Sequence, residues 1–391
     1  MSKRRVQGRS PLVVGLVWAW LGMAHAQAPD YIIELNNAPL KPLTKPDRRA
    51  ASEAAGAQPS GAVTAPASLP AAPMPAAANG KPRPMLRIAL VLPTESPLFG
   101  EAASVVRQGF DAASATDGAA QVVYVDEQEN NVVARYRAAV KGGVSVIVGP
   151  LTRSGIAAIA PFASVPTLAL NTFEKPVANP RLMSLSLSVE GEAKQVANLM
   201  NDDGRAAPLV VVGADPLERR LAEAFSRQWQ LRAGKPPVTA GADDAKALGE
   251  AAAQADGVFL ALESRAAAQV RAALPGSLAV YGTSVINGRQ PEAALAGARF
   301  VDMPWFLMPE QPEVKRYPRP AALLTMQTER LYALGIDAYR LAVELATAPY
   351  NARTGYAGLS INGVTGNLRL GRDRQFERTQ PVSIVGVPAA K

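Results

Sequence analysis

Arg87-Ile88-Ala89-Leu90-Val91-Leu92-Pro93 carries an unbroken apolar run, Ile88 to Leu92, closed by a proline. A strand with water on one face alternates apolar and polar residues; one buried on both faces does not, so this run predicts a central strand of a parallel sheet. The chain on either side supports that reading. Ser96-Pro97 has the form of a helix start, and Val105, Val106, Phe110 and Ala113 carry a helical apolar face. Strand 121–125, helix 131–141 and strand 144–148 follow, the last ended by Gly149-Pro150. Helix 153–163 and strand 166–170, ending at Asn171, complete four strands alternating with helices. Such alternation predicts a parallel sheet with helices on both faces.

The rhythm repeats after a joint at 173–188. Helix 190–201, strand 208–212, helix 216–231, a weak strand near 237–240, helix 243–254, strand 257–262, helix 264–273 and strand 278–281 form a second series. A proline-rich excursion follows Phe300-Val301-Asp302, then a helix from about Thr328 to Thr347 and a glycine-rich hairpin region at 359–378. A stretch of this length exceeds one compact core of this kind and suits two. The expected fold class is α/β, two lobes each with a mostly parallel sheet flanked by helices, and an interlobe cleft. Lobe 1 is placed at approximately 86–175 plus C-terminal returning segments, and lobe 2 at approximately 185–300.

Residues 1–26 read as a secretory signal. Lys3, Arg4, Arg5 and Arg9 precede an apolar stretch from Leu12 to Met23, and Ala24-His25-Ala26 is a small-x-small cleavage site. The apolar stretch is shorter than the ~20 residues a spanning helix needs. Cleavage after Ala26 and a periplasmic location are expected, with no transmembrane span in the mature chain. Residues 27–85 read as an Ala/Pro-rich disordered tether, with 13 Ala and 7 Pro between positions 50 and 84.

Composition then excludes whole classes of chemistry. The 391 residues contain no Cys and one His, and that His is His25. Thiolate nucleophiles, disulfides, a lipid-bearing Cys and Cys-ligated zinc are excluded; imidazole catalysis leaves with the signal. The net charge of +8 falls to +4 without the four signal cations. A nearly neutral body argues against a nucleic-acid partner. No metal or cofactor is expected.

Ligands of open parallel sheets bind beyond the carboxyl ends of the strands. That rule nominates Thr94, Glu95, Ser96 and Phe99 after the first strand, and Leu151, Thr152, Arg153 and Ser154 after the third. Asn171 and Thr172 follow the fourth; the second series offers Asp215, Thr283 and Ser284. Hydroxyls and amides at a helix start suit an anion such as a carboxylate, and they equally suit plain helix capping. The acidic groups Asp126/Glu127/Glu129, Asp202/Asp203 and Asp243/Asp244 sit where elements should end and read as solvated turns. With no phosphate loop and no G-x-S-x-G elbow, the chain reads as non-enzymatic with no catalytic residues. Trp305, Arg316 and Tyr317 are candidate partner contacts, weighed against core packing for Trp305 and a solvated turn for the basic segment.

Several segments carry a family resemblance. They are Ile88–Pro93 with Gln108-Gly109-Phe110, Val148-Gly149-Pro150-Leu151, Tyr281-Gly282-Thr283-Ser284, Phe300-Val301-Asp302-Met303-Pro304-Trp305, Arg330 to Leu341, and Gly363-Val364-Thr365-Gly366-Asn367-Leu368. In this order they resemble the C-terminal domain of the LppC/LpoA-type penicillin-binding protein activators. The resemblance implies a type I periplasmic-binding-protein fold used as a non-enzymatic regulator, with a class A penicillin-binding protein as partner. The chain reads as a short form, without the lipobox Cys and the helical-repeat N-terminal domain of that family. The alternative is a periplasmic solute-binding protein for a small anionic or amino-acid-like ligand. The two differ in the cleft: a receptor needs convergent free polar groups, whereas a contact regulator does not.

Overall fold

The computed structural model describes residues 86–386 apart from Glu129, Glu174, Ala352 and Arg353. The signal and tether expected at 1–85 lie outside the described residues.

The quoted run becomes β1 (Leu86–Leu92), buried from Ile88 onward. Then come α1 (Gly100–Asp117), β2 (Ala120–Asp126), α2 (Val132–Lys141), β3 (Val146–Val148), α3 (Arg153–Ile159), β4 (Thr167–Ala169) and β5 (Leu182–Ser184). The five strands form a sheet in the order β2-β1-β3-β4-β5, parallel throughout. Its two faces bury separate apolar sets. Ile88, Leu90 and Leu92 face one, with Phe110 and Tyr339; Ala89 and Val91 face the other, with Tyr136 and Ile159. The apolar residues at every β1 position from Ile88 to Leu92 follow from that double burial.

The second series is α4 (Val189–Asp202), β6 (Pro208–Val212), α5 (Pro216–Ala233), β7 (Val238–Gly241), α6 (Ala245–Ala252), β8 (Gly257–Ala261), α7 (Ser264–Ala273), β9 (Ala279–Gly282) and β10 (Arg299–Val301). Two short helices, α8 (Pro304–Leu307) and α9 (Pro312–Lys315), each open on the proline that suits a first helical position. The chain ends in α10 (Met326–Thr347), β11 (Ser360–Asn362), β12 (Asn367–Leu370), β13 (Phe376–Thr379) and β14 (Val382–Ile384). The second sheet runs β14-β10-β9-β8-β6-β7, parallel except for the antiparallel β14. Strands β11, β12 and β13 make a separate antiparallel sheet.

Helix α10 is buried nearly all round and packs on α1 of the first lobe. Two glycines set that contact. A Cβ on Gly109 would lie 1.8 Å from the Tyr332 carbonyl oxygen, and one on Gly335 2.1 Å from that of Val106. The helix backbones therefore meet where neither carries a side chain.

Three strands depart from the sequence reading. β5 lies inside the expected joint, β10 lies just before the expected excursion where no strand was assigned, and β14 joins the second sheet although C-terminal returning segments were assigned to lobe 1. Each is three residues long and follows the preceding strand without an intervening α-helix, outside the alternation that marked the equally short β3 and β4. The helix expected at Ser96-Pro97 starts at Gly100; the Ser96 hydroxyl instead accepts from the amides of Leu98 and Phe99 in a turn.

Candidate functional site

The loops after β1, β2, β3 and β4 meet at the carboxyl end of the first sheet. Asp126 accepts from the Thr94 hydroxyl and the Glu95 amide, both at 3.2 Å. Next to it, Glu127 turns inward. Its carboxylate takes the Leu151 amide at 2.8 Å, the Thr152 amide at 3.2 Å and the Thr152 hydroxyl. These are the free donors at the start of α3 that the sequence reading offered to an anion. The group that takes them is the protein's own carboxyl. Gly155 leaves room for it, since a Cβ there would lie 2.2 Å from the Glu127 Oε1.

Glu127 is 6% exposed, which corrects the expected solvated turn. Burial pushes its carboxyl up to about 7, while the hydrogen bonds from Thr152 and Leu151 pull the other way and Asp126 adds to the rise. An acidic run beside Asn looks polar in sequence whether or not one member folds inward.

The other first-lobe candidates serve the same local architecture. Thr152 caps α3 by accepting from the Gly155 amide, and Ser154 lies 3.2 Å from the Thr152 hydroxyl. Arg153 opens α3, half-buried. Leu151 is buried and Phe99 packs half-buried on the core. Asn171 is buried, donating to the Leu151 carbonyl and accepting from the Thr172 amide.

The second lobe shows the same economy. Asp215 caps α5 in a reciprocal box with Glu218, which is buried and also accepts from the Glu263 amide. Thr283 is buried and caps the turn that follows β9. Ser284 donates its amide to the Glu192 carboxylate at 3.0 Å and offers its carbonyl to Arg330. The remaining acidic pairs also have structural duties: Asp203 accepts from the Tyr281 hydroxyl and pairs with Arg299, and Asp244 caps α6.

Around Ser284 lies a buried ionic cluster that sequence reasoning did not assemble. Arg330 on α10 grips both carboxylate oxygens of Asp302, and both residues are buried. Glu192 on α4 faces this pair; burial raises its carboxyl, opposed by Arg330 and reinforced by Asp302. The Asp337 carboxylate holds the amides of Val364 and Thr365 and the Thr365 hydroxyl. Arg378 donates to that same hydroxyl, with burial lowering the guanidinium's proton affinity against the pull of Asp337 and Glu192. Gln195 on α4 exchanges two hydrogen bonds with the backbone of Gln380. Helix α4 of the second lobe is thereby tied to α10 and to the chain leaving β13.

Trp305 is fully buried, its indole N–H donating to Glu329 at 2.9 Å and Arg319 lying over its ring. It is a core residue, not an exposed partner anchor. Tyr317 is also buried and donates its hydroxyl to Asp117, which Arg316 joins as an ion pair. The proline-rich excursion is thus fastened to the end of α1. Among the described residues, no group of three or more His, Cys, Asp or Glu is placed to hold a metal ion.

Comparison with known proteins agrees with this architecture. The family model described as "LppC putative lipoprotein" matches residues 64–243 and 245–380, most of the chain. The chain belongs to the LppC family. Among curated relatives, the "Penicillin-binding protein activator LpoA" of Mannheimia succiniciproducens is 30% identical over 314 residues, 75% of this chain and 52% of that protein. The chain spans about half the length of the curated relatives it matches. A solved Chromobacterium violaceum structure, described as a "putative branched-chain amino acid ABC transporter", is 54% identical with a TM-score of 0.73, covering 77% of this chain and all of that one. The LpoA C-domain of Haemophilus influenzae, described as a regulator of PBP1A, superposes with a TM-score of 0.65 at 23% identity, covering 78% of this chain and 98% of that one. The fold is that of type I periplasmic-binding proteins, and the LppC segments singled out in sequence are in direct contact. Asp302 meets Arg330, the Trp305 amide donates to the Val364 carbonyl, and Asp337 holds Val364 and Thr365.

Proposed function

We propose that this LppC-family chain is a non-enzymatic regulator that stimulates a class A penicillin-binding protein by direct contact in the periplasm. One observation carries the reading: the donors at the start of α3, where a solute's carboxylate would be expected to bind, are filled by Glu127. A cleft whose anion-binding groups are already satisfied has little left to hold a free solute. The curated relatives are named as activators, which supports the same choice. Residues 1–26 would direct export and 27–85 would give the two-lobed body reach. No described helix is long and apolar enough to cross a membrane.

A second reading, a solute-binding protein, draws on the 54% identity to a chain described in transporter terms. One experiment separates them. The protein is immobilised and exposed to detergent-solubilised class A synthases, and glycan polymerisation is measured with and without it. Capture with a faster polymerisation rate is expected. No capture and no rate change, combined with a rise in melting temperature on adding an amino acid, would overturn the regulator reading.

A further inference from the structure

Among the described residues, strand β14 is the outer edge of the second sheet, with no strand paired to its far side. Phe300 is paired with Ser383, the Val385 amide donates to the Ala298 carbonyl, and the Asp302 amide donates to the Pro381 carbonyl. Alternation along an antiparallel ladder therefore turns the N–H and C=O groups of Val382 and Ile384 outward. Both side chains are about two-fifths exposed, at 40% and 39%. Natural sheets blunt such an edge with charge, and the β14 sequence Val-Ser-Ile has none.

Beside this strand lies an open cavity of about 380 Å³ with Phe300, Phe306, Leu307, Met326 and Ile286 among its walls. Its volume is in the range that takes side chains or small ligands. Arg289 stands at the same cavity, 55% exposed. It shares the single carboxylate of Glu329 with Arg319, so two guanidiniums are set against one acid. The surplus at this end of the groove is positive.

We infer that the outer edge of β14 is a docking strip for an extended segment of a partner protein, bound by strand addition. The outward backbone groups of Val382 and Ile384 supply the hydrogen bonds, the cavity takes an apolar side chain, and Arg289 at its wall selects an acidic residue beside it. The partner segment is thus apolar and acidic in alternation. The inference goes beyond the regulator reading, because it fixes the surface and the chemistry of what binds there.

The probe is a fluorescein-labelled peptide of alternating valine and glutamate, followed by anisotropy, with a valine–lysine peptide as its counterpart. Saturable binding of the acidic peptide is expected, weakened at least tenfold by Ile384→Pro, which removes an outward N–H. Val382→Glu, at an exposed position, should weaken it similarly and keeps the test alive should the proline variant not fold. No saturable binding, equal binding of the basic peptide, or binding unchanged in both variants would overturn the docking strip. Synthase capture is measured in parallel. Peptide binding without capture upholds the strip and refutes the regulator reading; capture without peptide binding does the reverse.

Discussion

Glu127 and Leu151, 24 residues apart in sequence, are joined by a 2.8 Å hydrogen bond from the Leu151 amide to the Glu127 carboxylate. With the two donors of Thr152, that bond ties the end of β2 to the start of α3. The first lobe thus supplies its own hydrogen-bond acceptor to donors that a receptor would offer to a ligand.

Glu127→Ala strands both amides in a buried place, and a buried donor left without a partner costs about 1–3 kcal/mol. A loss in that range is expected in urea unfolding. Glu127→Gln keeps an acceptor and the shape, so its loss should be smaller. Equal losses would mean that the acceptor is not what matters.

The pH dependence of stability has a definite sign at Glu127. Its carboxyl is raised from 4.5 to about 7 by burial, so the folded state holds a proton that the unfolded state releases. The stability this provides is fully present below about 4.5 and is lost as pH rises through about 7. Between pH 4.5 and 7.5 the wild type should therefore lose roughly 2–3 kcal/mol relative to Glu127→Gln, whose side chain does not titrate. Paired urea titrations at the two pH values check it; a constant difference would refute the shift.

The Asp302–Arg330 pair predicts a non-additive mutant cycle. Removing one partner of a buried ion pair leaves an uncompensated charge and costs ~3–5 kcal/mol. Asp302→Ala and Arg330→Met should each fall near that figure, and the double variant should lose much less than their sum. Glu192, which also faces Arg330, makes Arg330→Met the more damaging single change. Additive losses would show that the two residues do not act as a pair.

Gly335→Ala should destabilise the chain by several kcal/mol, although alanine is ordinarily the better helix former by ~1 kcal/mol. Its methyl would meet the backbone of α1, and overpacking of that sort costs about 1–3 kcal/mol or more. Gly191→Ala, in the first turn of α4 with open space around the added carbon, serves as the control and should be neutral or better. Thermal melting of the two variants distinguishes a packing requirement from a general intolerance of substitution.

The parallel sheets were legible because double burial writes itself as unbroken apolar runs: β1, β6 and β8 all read directly from sequence. The three-residue β5, β10 and β14 were not, since unlike the equally short β3 and β4 they stand outside the strand–helix alternation. The candidate loops were found by the carboxyl-end rule, but their occupancy was not. Whether Thr152 awaits a ligand or already holds Glu127 depends on which way one side chain turns, and sequence spacing does not record that. Asp302, Arg330 and Asp337 stood inside segments singled out for their resemblance; that they are the polar contacts between those segments needed three dimensions.

The path of the chain has a last consequence, for how it is made. Helix α10 fills the first lobe only after the whole second series has been laid down, and β14 closes the second sheet later still. A chain emerging from its N-terminal end therefore has β1 to β5 in hand for more than 140 residues before the helix that covers them arrives. Each half stays open until late, and a chain that cannot close early remains threadable. The interlaced connectivity that welds the finished lobes together thus leaves the closing of each core to the last-made part of the chain.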